Sequence, residues 1–419
     1  MSELPASLPK NPPPASGLRR VFSRAFAFVA SFGLGVVVLL FLLLLTWLGT
    51  IRQVDNSLYD VQKKYFDSLF LLEEVGPIKI PLPGGMLLMG ILFFNMLAGG
   101  IIRIRKNWRT FGVVIAHFSI LVLLAAGVVS FLYKREGYLK INEGGRGNVF
   151  TSYTERVLEV TEVGGDGVVH VIHESDLADL SGAKTRAFFA KGLPFEFTVS
   201  NFQINCDVES AGMRPPHPGV PVVDGFYLSP RLPAMQAEQN LAGCQIAVKT
   251  PDGAEQKALL WQFAVAPWTW RTPDGRVFIF RLNRQSWELP FDVHLEKFTH
   301  EVHPGTNKPK VYASDVIKRQ DGIDQPVKIE MNKPLRDRGY TLFQASYNDR
   351  WRPGMPRTEM YSVFAVVKNP SDKWPIWGTI MAAVGIGIHF CMKLAQGINR
   401  ASRKRAAASE SGAPSPATP

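Results

Sequence analysis

Four long apolar stretches without a single charge constrain this 419-residue chain more than anything else in it: 25–51, 84–102, 110–133 and 374–392. A hydrocarbon layer of roughly 30 Å takes about 20 helical residues at 1.5 Å each, and every stretch reaches that length. Charge then orients them. Residues 1–24, 103–109 and 393–419 hold 13 Lys or Arg against 2 Asp or Glu, an excess equal to the whole net charge of +11. The remainder balances at 34 basic against 34 acidic. If every stretch crosses once, the three basic blocks share one face, and the positive-inside bias makes that face the cytoplasm. The chain therefore reads as a four-span protein with both termini inside. Its basic excess is topological and implies no nucleic-acid partner. The first stretch is not a cleaved signal, because its core, 26–48, is too long and no small-residue cleavage site follows.

The spacing of the spans sets the domain plan. Residues 134–373 form an extracytoplasmic segment of about 240 residues between the third and fourth spans, enough for one or two cores. The expected fold class is integral membrane α + β: four transmembrane helices with a large β-rich domain inserted between the last two. Residues 1–24 and 393–419, rich at their ends in Pro, Ser and Ala, are expected to be disordered cytoplasmic tails. A basic inner loop occupies 103–109. The outer loop 52–83 carries Leu58, Val61, Tyr65 and Leu69 at helical spacing, the pattern of an amphipathic helix.

Alternation marks strands in the large segment. Phe195, Phe197 and Val199 alternate with Glu196, Thr198 and Ser200, and Phe291, Val293 and Leu295 with Asp292, His294 and Glu296. Further strands are expected at 156–163, 245–250, 277–282, 327–332 and 341–347. Thr-Pro-Asp-Gly, a turn sequence, occurs at 250–253 and again at 272–275. A faint repeat pairs the ten residues from Leu193 with the ten from Leu289, sharing Leu, Pro, Phe, an acid and the final Phe. Two related β subdomains or chance both account for it.

Polar groups inside the spans are costly and ask for a reason. His117 stands eight residues beyond Arg109, about 12 Å into the third span, and Asn95 lies eight residues before Arg103 in the second. In a tight hairpin the two sit at matching depth and can line one pocket. A neutral imidazole there is either a packed, hydrogen-bonded side chain or a ligand for iron, as in a haem held between helices. His389, four residues before Lys393, belongs to the interface, where a histidine is cheap. His170, His173, His217, His294, His300 and His303 lie in the large segment without a fitting third ligand, so solvated positions are expected. Cys206 and Cys244 are both placed where oxidation is possible and can pair or stay free. No Cys-x-x-Cys, phosphate loop, nucleophile elbow or zinc-protease motif is present, which removes the commonest enzyme classes.

One segment is more specific than any of these patterns. Lys328 to Tyr347, ending in Gln344-Ala345-Ser346-Tyr347, resembles the signature of the ResB (CcsB) family of cytochrome c biogenesis proteins. Pro290-Phe291 and the Tyr312-Ala313-Ser314-Asp315 run are similar to that family too. So are Trp47-Leu48-Gly49-Thr50, Gln53, Tyr59, Gln62, Tyr65 and Phe66 around the end of the first span, and the order of spans and outer domain.

The resemblance implies a system II maturation subunit of a bacterial inner membrane, its large domain periplasmic. Its implied partners are a multi-span ResC (CcsA) protein, apocytochrome c, haem and thiol-reducing maturation factors. Its implied work is to move haem across the membrane and present it for covalent attachment as a non-catalytic part of the haem lyase complex. The family's Trp-rich haem segment belongs to the partner, and Trp268-Thr269-Trp270-Arg271 is too short to replace it. On this reading His117 is an axial ligand to the iron of haem b, which is carried rather than permanently bound, and Asn95 supports it. A different class remains beside this one: a membrane-anchored extracytoplasmic binding or scaffold protein with no haem role.

Overall fold

The computed structural model describes residues 17–165, 167–180, 184–189, 192–249, 255–306, 309–348, 350–351 and 354–411. The chain forms two compact units. One comprises Met1–Ile51, Gln62–Leu132 and Ser371–Pro419, the other Arg52–Val61 and Tyr133–Pro370.

Helices make the first unit. They are α1 (Gly17–Val29), α2 (Phe32–Arg52), α4 (Gly85–Asn95), α5 (Phe111–Tyr133) and α7 (Trp374–Ser411). The short α3 (Leu58–Val61) and α6 (Glu174–Leu177) belong to the other unit. Four helical segments are long and apolar enough to cross a membrane: Phe32–Arg52, Gly85–Ile102, Trp108–Tyr133 and Trp374–Lys404. The expected first stretch, 25–51, is not one helix. The chain breaks at Ala30 and Ser31, and the hydroxyl of Ser31 caps α2 by accepting from the Leu34 N–H at 3.2 Å.

Both expected tails need correction. Residues 17–24, expected to be disordered, begin α1, because Val21, Phe22, Ala25, Phe26 and Val29 fall on one side of a helix and Arg19, Arg20, Ser23 and Arg24 on the other. Residues 393–411 continue α7, since Ala, Lys, Arg and Leu dominate that segment and all favour helix. Only 1–16 and 412–419 of those tails lie outside the described residues.

The seam between α5 and α7 depends on glycine. A methyl group on Gly385 would stand 2.7 Å from the Ala116 nitrogen and 2.7 Å from the Gly112 oxygen. One on Gly112 would stand 2.5 Å from the Gly385 oxygen. Small residues let helix backbones touch where lipid offers no hydrophobic drive. The outer loop 52–83 holds its amphipathic turn only over Leu58–Phe66, followed by a hairpin, β1 (Phe70–Val75) with β2 (Ile78–Pro83). Beneath it Tyr65, fully buried, donates to the Glu73 carboxylate at 2.5 Å, and Lys64 reaches the same oxygen at 2.9 Å.

The second unit is β-rich, as expected, and lies in the chain between α5 and α7. Its first strands are β3 (Arg135–Asn142), β4 (Arg146–Glu162), β5 (Val169–His173), β6 (Thr185–Phe188) and β7 (Phe197–Gln203). Then come β8 (Cys206–Ser210), β9 (Phe226–Pro230), β10 (Gly243–Lys249), β11 (Glu255–Trp261) and β12 (Trp268–Arg271). The remainder are β13 (Val277–Val302), β14 (Pro309–Gln320), β15 (Ile323–Glu330), β16 (Leu335–Asp337), β17 (Tyr340–Tyr347) and β18 (Tyr361–Lys368). A ten-stranded sheet runs β15-β14-β13-β4-β3-β18-β17-β16, with β12 added to β13 and β5 to β4; a four-stranded sheet runs β11-β10-β7-β6.

Two cores result, and the 26-residue β13 serves both. Phe197, Val199 and Ile246 of the smaller sheet pack with Leu158, Val160, Phe278 and Phe280 in the first core. Leu289, Phe291, Val293 and Leu295 join Phe150, Val316, Leu342 and Phe364 in the second. The faint repeat maps onto this division: Leu193, Phe195 and Phe202 lie in the first core, Leu289 and Phe291 in the second. The Thr-Pro-Asp-Gly at 272–275 makes the turn between β12 and β13, with Gly275 at φ +88° and its N–H bonded to Thr272 at 2.9 Å. The copy at 250–253 lies outside the described residues.

Cys206 and Cys244 are free thiols. Cys244 points into the first core beside Ile246, while the Cys206 sulfur lies 2.6 Å from where a side chain on Gly243 would begin. Successive side chains of a strand take opposite faces, so the two sulfurs lie on opposite sides of β10. Burial pushes each thiol up to about 12.

Candidate functional site: a histidine held by a π-helical carbonyl

The second span does not stay α-helical. After Asn95 it widens into a π-helix, Met96–Ile102. A π-helix shifts the backbone pairing by one residue, which lets a carbonyl serve a partner other than its own helix. Gly100 lies in this wide turn, and its carbonyl oxygen is 3.1 Å from Nδ1 of His117 on α5. A methyl group on Gly100 would meet the imidazole at 2.8 Å, so glycine is what lets the ring lie against the helix backbone.

A carbonyl oxygen only accepts, so Nδ1 of His117 is the donor in this contact. Among the described residues no side chain or backbone group hydrogen-bonds to Nε2. An imidazole anchored to a carbonyl through Nδ1, with Nε2 free, is a form in which histidine can bind a metal.

Asn95 does not join that pocket through a hydrogen bond. Its amide nitrogen donates to the Val29 oxygen at 2.6 Å and the Ser31 oxygen at 2.9 Å, carbonyls that flank the break between α1 and α2. Its oxygen lies 3.0 Å from where a side chain on Gly35 would begin. Asn95 thus clamps the first span to the second, and the π-helix that starts beside it positions Gly100. Depth along the helices was legible in the sequence, but the partners were not, because neither the break at Ala30 nor the wide turn has a sequence signature here.

His389 lies on α7 beside Gly112, its backbone nitrogen 2.7 Å from where a Gly112 side chain would begin, and its Nδ1 is buried without a hydrogen-bond partner among the described residues. In the other unit, no group of three or more His, Cys, Asp or Glu among the described residues can hold a metal ion. His294 bonds through Nδ1 to the Gly145 oxygen at 2.8 Å, and His300 stacks on Tyr312 at 4.8 Å.

The two most specific sequence runs meet in the β unit. Ser314 of β14 donates to Gln344 of β17 at 2.7 Å, and Gln344 donates to Ser362 of β18 at 2.7 Å. Ser314 and Ser362 are themselves 2.9 Å apart and fully buried. Three polar side chains satisfy one another here, so Tyr-Ala-Ser-Asp and Gln-Ala-Ser-Tyr are joined through one network. Beside it Tyr347 stacks on Phe298 at 4.9 Å.

Compared with known families, residues 274–357 match the ResB-like family model. The match runs from the turn before β13 to the residues after β17 and takes in both runs that meet at Ser314 and Gln344. No curated protein compared with the chain matches it.

Proposed function

We propose, from the match of residues 274–357 to the ResB-like family model, that this chain is a membrane subunit of cytochrome c maturation that holds haem between its helices and hands it on for covalent attachment. The four apolar helices suit such a place, and the basic flanks support a reading in which the β-rich unit is periplasmic to a bacterial inner membrane. The work is done with a multi-span partner of the ResC (CcsA) type, with apocytochrome c as recipient and thiol-reducing factors keeping its cysteines open.

The observation that carries the reading is the contact between His117 and the π-helical carbonyl of Gly100. It anchors the ring through Nδ1 and leaves Nε2 as the nitrogen that would hold the cargo's iron. The Gly112–Gly385 seam and the Asn95 clamp hold the helices that carry this pair, which keeps the ring oriented. The chain contributes no acid or base to attachment, in which a thiol S–H adds across a haem vinyl group. Its part is ligation, positioning and protection of the cargo.

The test is spectroscopic. Purified with its partner, the chain is expected to show a low-spin haem band, and His117→Ala is expected to lose it. Full haem content in that variant would overturn the ligand role and favour an anchored scaffold.

A further inference from the structure

The helix α1 carries an apolar face that the rest of the chain leaves open. At about 3.6 residues per turn, Val21, Phe22, Ala25, Phe26, Phe28 and Val29 fall within one half of the circumference. Arg19, Arg20, Ser23 and Arg24 fill the other half, and the helix holds no acid. Phe22 is 68% exposed, Phe28 66% and Val21 64%, whereas an amphipathic helix on a soluble domain turns such a face to its core. The helix is not needed to cross a membrane. α2 alone runs 21 residues, about 31 Å by helical rise, enough for a hydrocarbon layer of roughly 30 Å.

The break at Ala30 sets the depth at which α1 ends. Ala30 lies against Gly99, where a methyl group would stand 3.0 Å from the Ala30 oxygen, and Nη1 of Arg103 donates to that same oxygen at 3.4 Å. Arg103 is the first charge after the second span, four residues beyond Gly99. The end of α1 is therefore roughly 6 Å inside the level of that charge. Helices that lie in a membrane surface bury their apolar face about 5–10 Å below the headgroup boundary, which is the same depth. Held in line with α2, the helix would instead carry Phe22 about 12 Å further out than Ala30, past Arg103 and into water.

We propose that α1 lies in the plane of the inner membrane surface, with its aromatic face in the acyl chains and its arginines on the headgroups of anionic lipids. Charge selects that occupant. Arg19, Arg20 and Arg24 belong to the same side of the membrane as Arg103, Arg105, Lys106 and Arg109, and together they make a belt that contains no carboxylate. A guanidinium fork matches the paired oxygens of a lipid phosphate, and a basic belt at this level attracts an anionic leaflet. Continuity points the same way. Leu39 and Leu40 of α2 are exposed as well, so the open face of α1 extends a surface already given over to acyl chains. The proposal needs the apolar helices to cross a bilayer and does not need the haem reading.

The experiment uses the full chain in vesicles of phosphatidylcholine and phosphatidylglycerol. Spin labels are placed singly through Phe22→Cys, Ser23→Cys and Leu43→Cys in a Cys391→Ser background, since Cys206 and Cys244 are buried. Relaxation by oxygen against a water-soluble nickel chelate reads their depth. The label at 22 is expected to be reached by oxygen and shielded from nickel, like that at 43 in α2, and the label at 23 the reverse. Spin-labelled phosphatidylglycerol is expected to associate at least about twofold more strongly than phosphatidylcholine, and Arg19→Gln, Arg20→Gln and Arg24→Gln together to remove about half of that preference or more. Nickel access at 22 equal to that at 23 would overturn the proposal, as would a lipid preference untouched by the triple substitution. So would shielding at 22 that arises only when the multi-span partner is added, since a protein would then cover the face. Nickel access at 43 would overturn the crossing itself, which separates that failure from one of α1 alone. The haem band enters neither measurement, so the haem reading stands or falls apart from this one.

Discussion

Asn95→Leu tests whether the polar residue of the second span serves the cargo or the helices. The substitution keeps the side-chain volume and removes both bonds to the break, at 2.6 and 2.9 Å. Interhelical hydrogen bonds in membrane proteins are worth about 0.6 kcal/mol on average and about 1.7 at most. Two such bonds put the expected loss at about 1–3 kcal/mol. Unfolding of the purified chain in mixed micelles, followed by tryptophan fluorescence, reads that loss directly. The cycle with His117→Ala then separates the roles. If Asn95 only clamps α1, α2 and α4, the two substitutions add within about 0.5 kcal/mol in stability. The reasoning is refuted if Asn95→Leu leaves stability within about 0.3 kcal/mol of the parent while haem retention collapses. That outcome would return Asn95 to the surroundings of the iron.

Other perturbations bear on separate parts of the molecule. Gly100→Ala places a methyl 2.8 Å from Nδ1 of His117 and should weaken haem retention about 10–100-fold by absorbance titration, whereas Gly90→Ala, with nothing within 4 Å, should not. Arg276 grips the Glu162 carboxylate through two bonds of 2.7 and 2.6 Å and holds its pKa below the ordinary range, with part of that lowering offset by desolvation. A depressed carboxylate stabilises the fold above its unfolded pKa and loses that effect as pH falls through the folded value. The gap in melting temperature between the parent and Glu162→Gln should therefore hold steady from pH 5 to 8 and close below about pH 4. Cys206 and Cys244, pushed up to about 12 by burial, should resist maleimide at pH 8 until denaturant is added. Rapid labelling of the folded chain would contradict their burial.

How far the sequence carried differs from place to place. The strands at 341–347 and 245–250 were legible because alternation in a half-buried sheet reports directly on which face is covered. The helices at 17–24 and 393–411 were missed because Pro and Ser at the extreme ends coloured the reading of their neighbours, although the Arg and Phe spacing of α1 was there to be counted. The depth of His117 followed from helical rise alone. Its partner did not, since the π-helix of 96–102 comes from no residue pattern that marks it. The sequence suggested that Tyr312–Asp315 and Gln344–Tyr347 matter, but only their meeting through Ser314, Gln344 and Ser362 gives the reason.

By itself the amino-acid order determined the four apolar helices and the β character of the segment before the last one. Each follows from composition and period, which act within one segment. Tertiary structure alone decided that Gly100 holds the imidazole, that Asn95 secures the broken first span, and that the two buried thiols lie on opposite faces of β10. These depend on which backbone groups are still unpaired once distant segments have packed, and no local pattern records that.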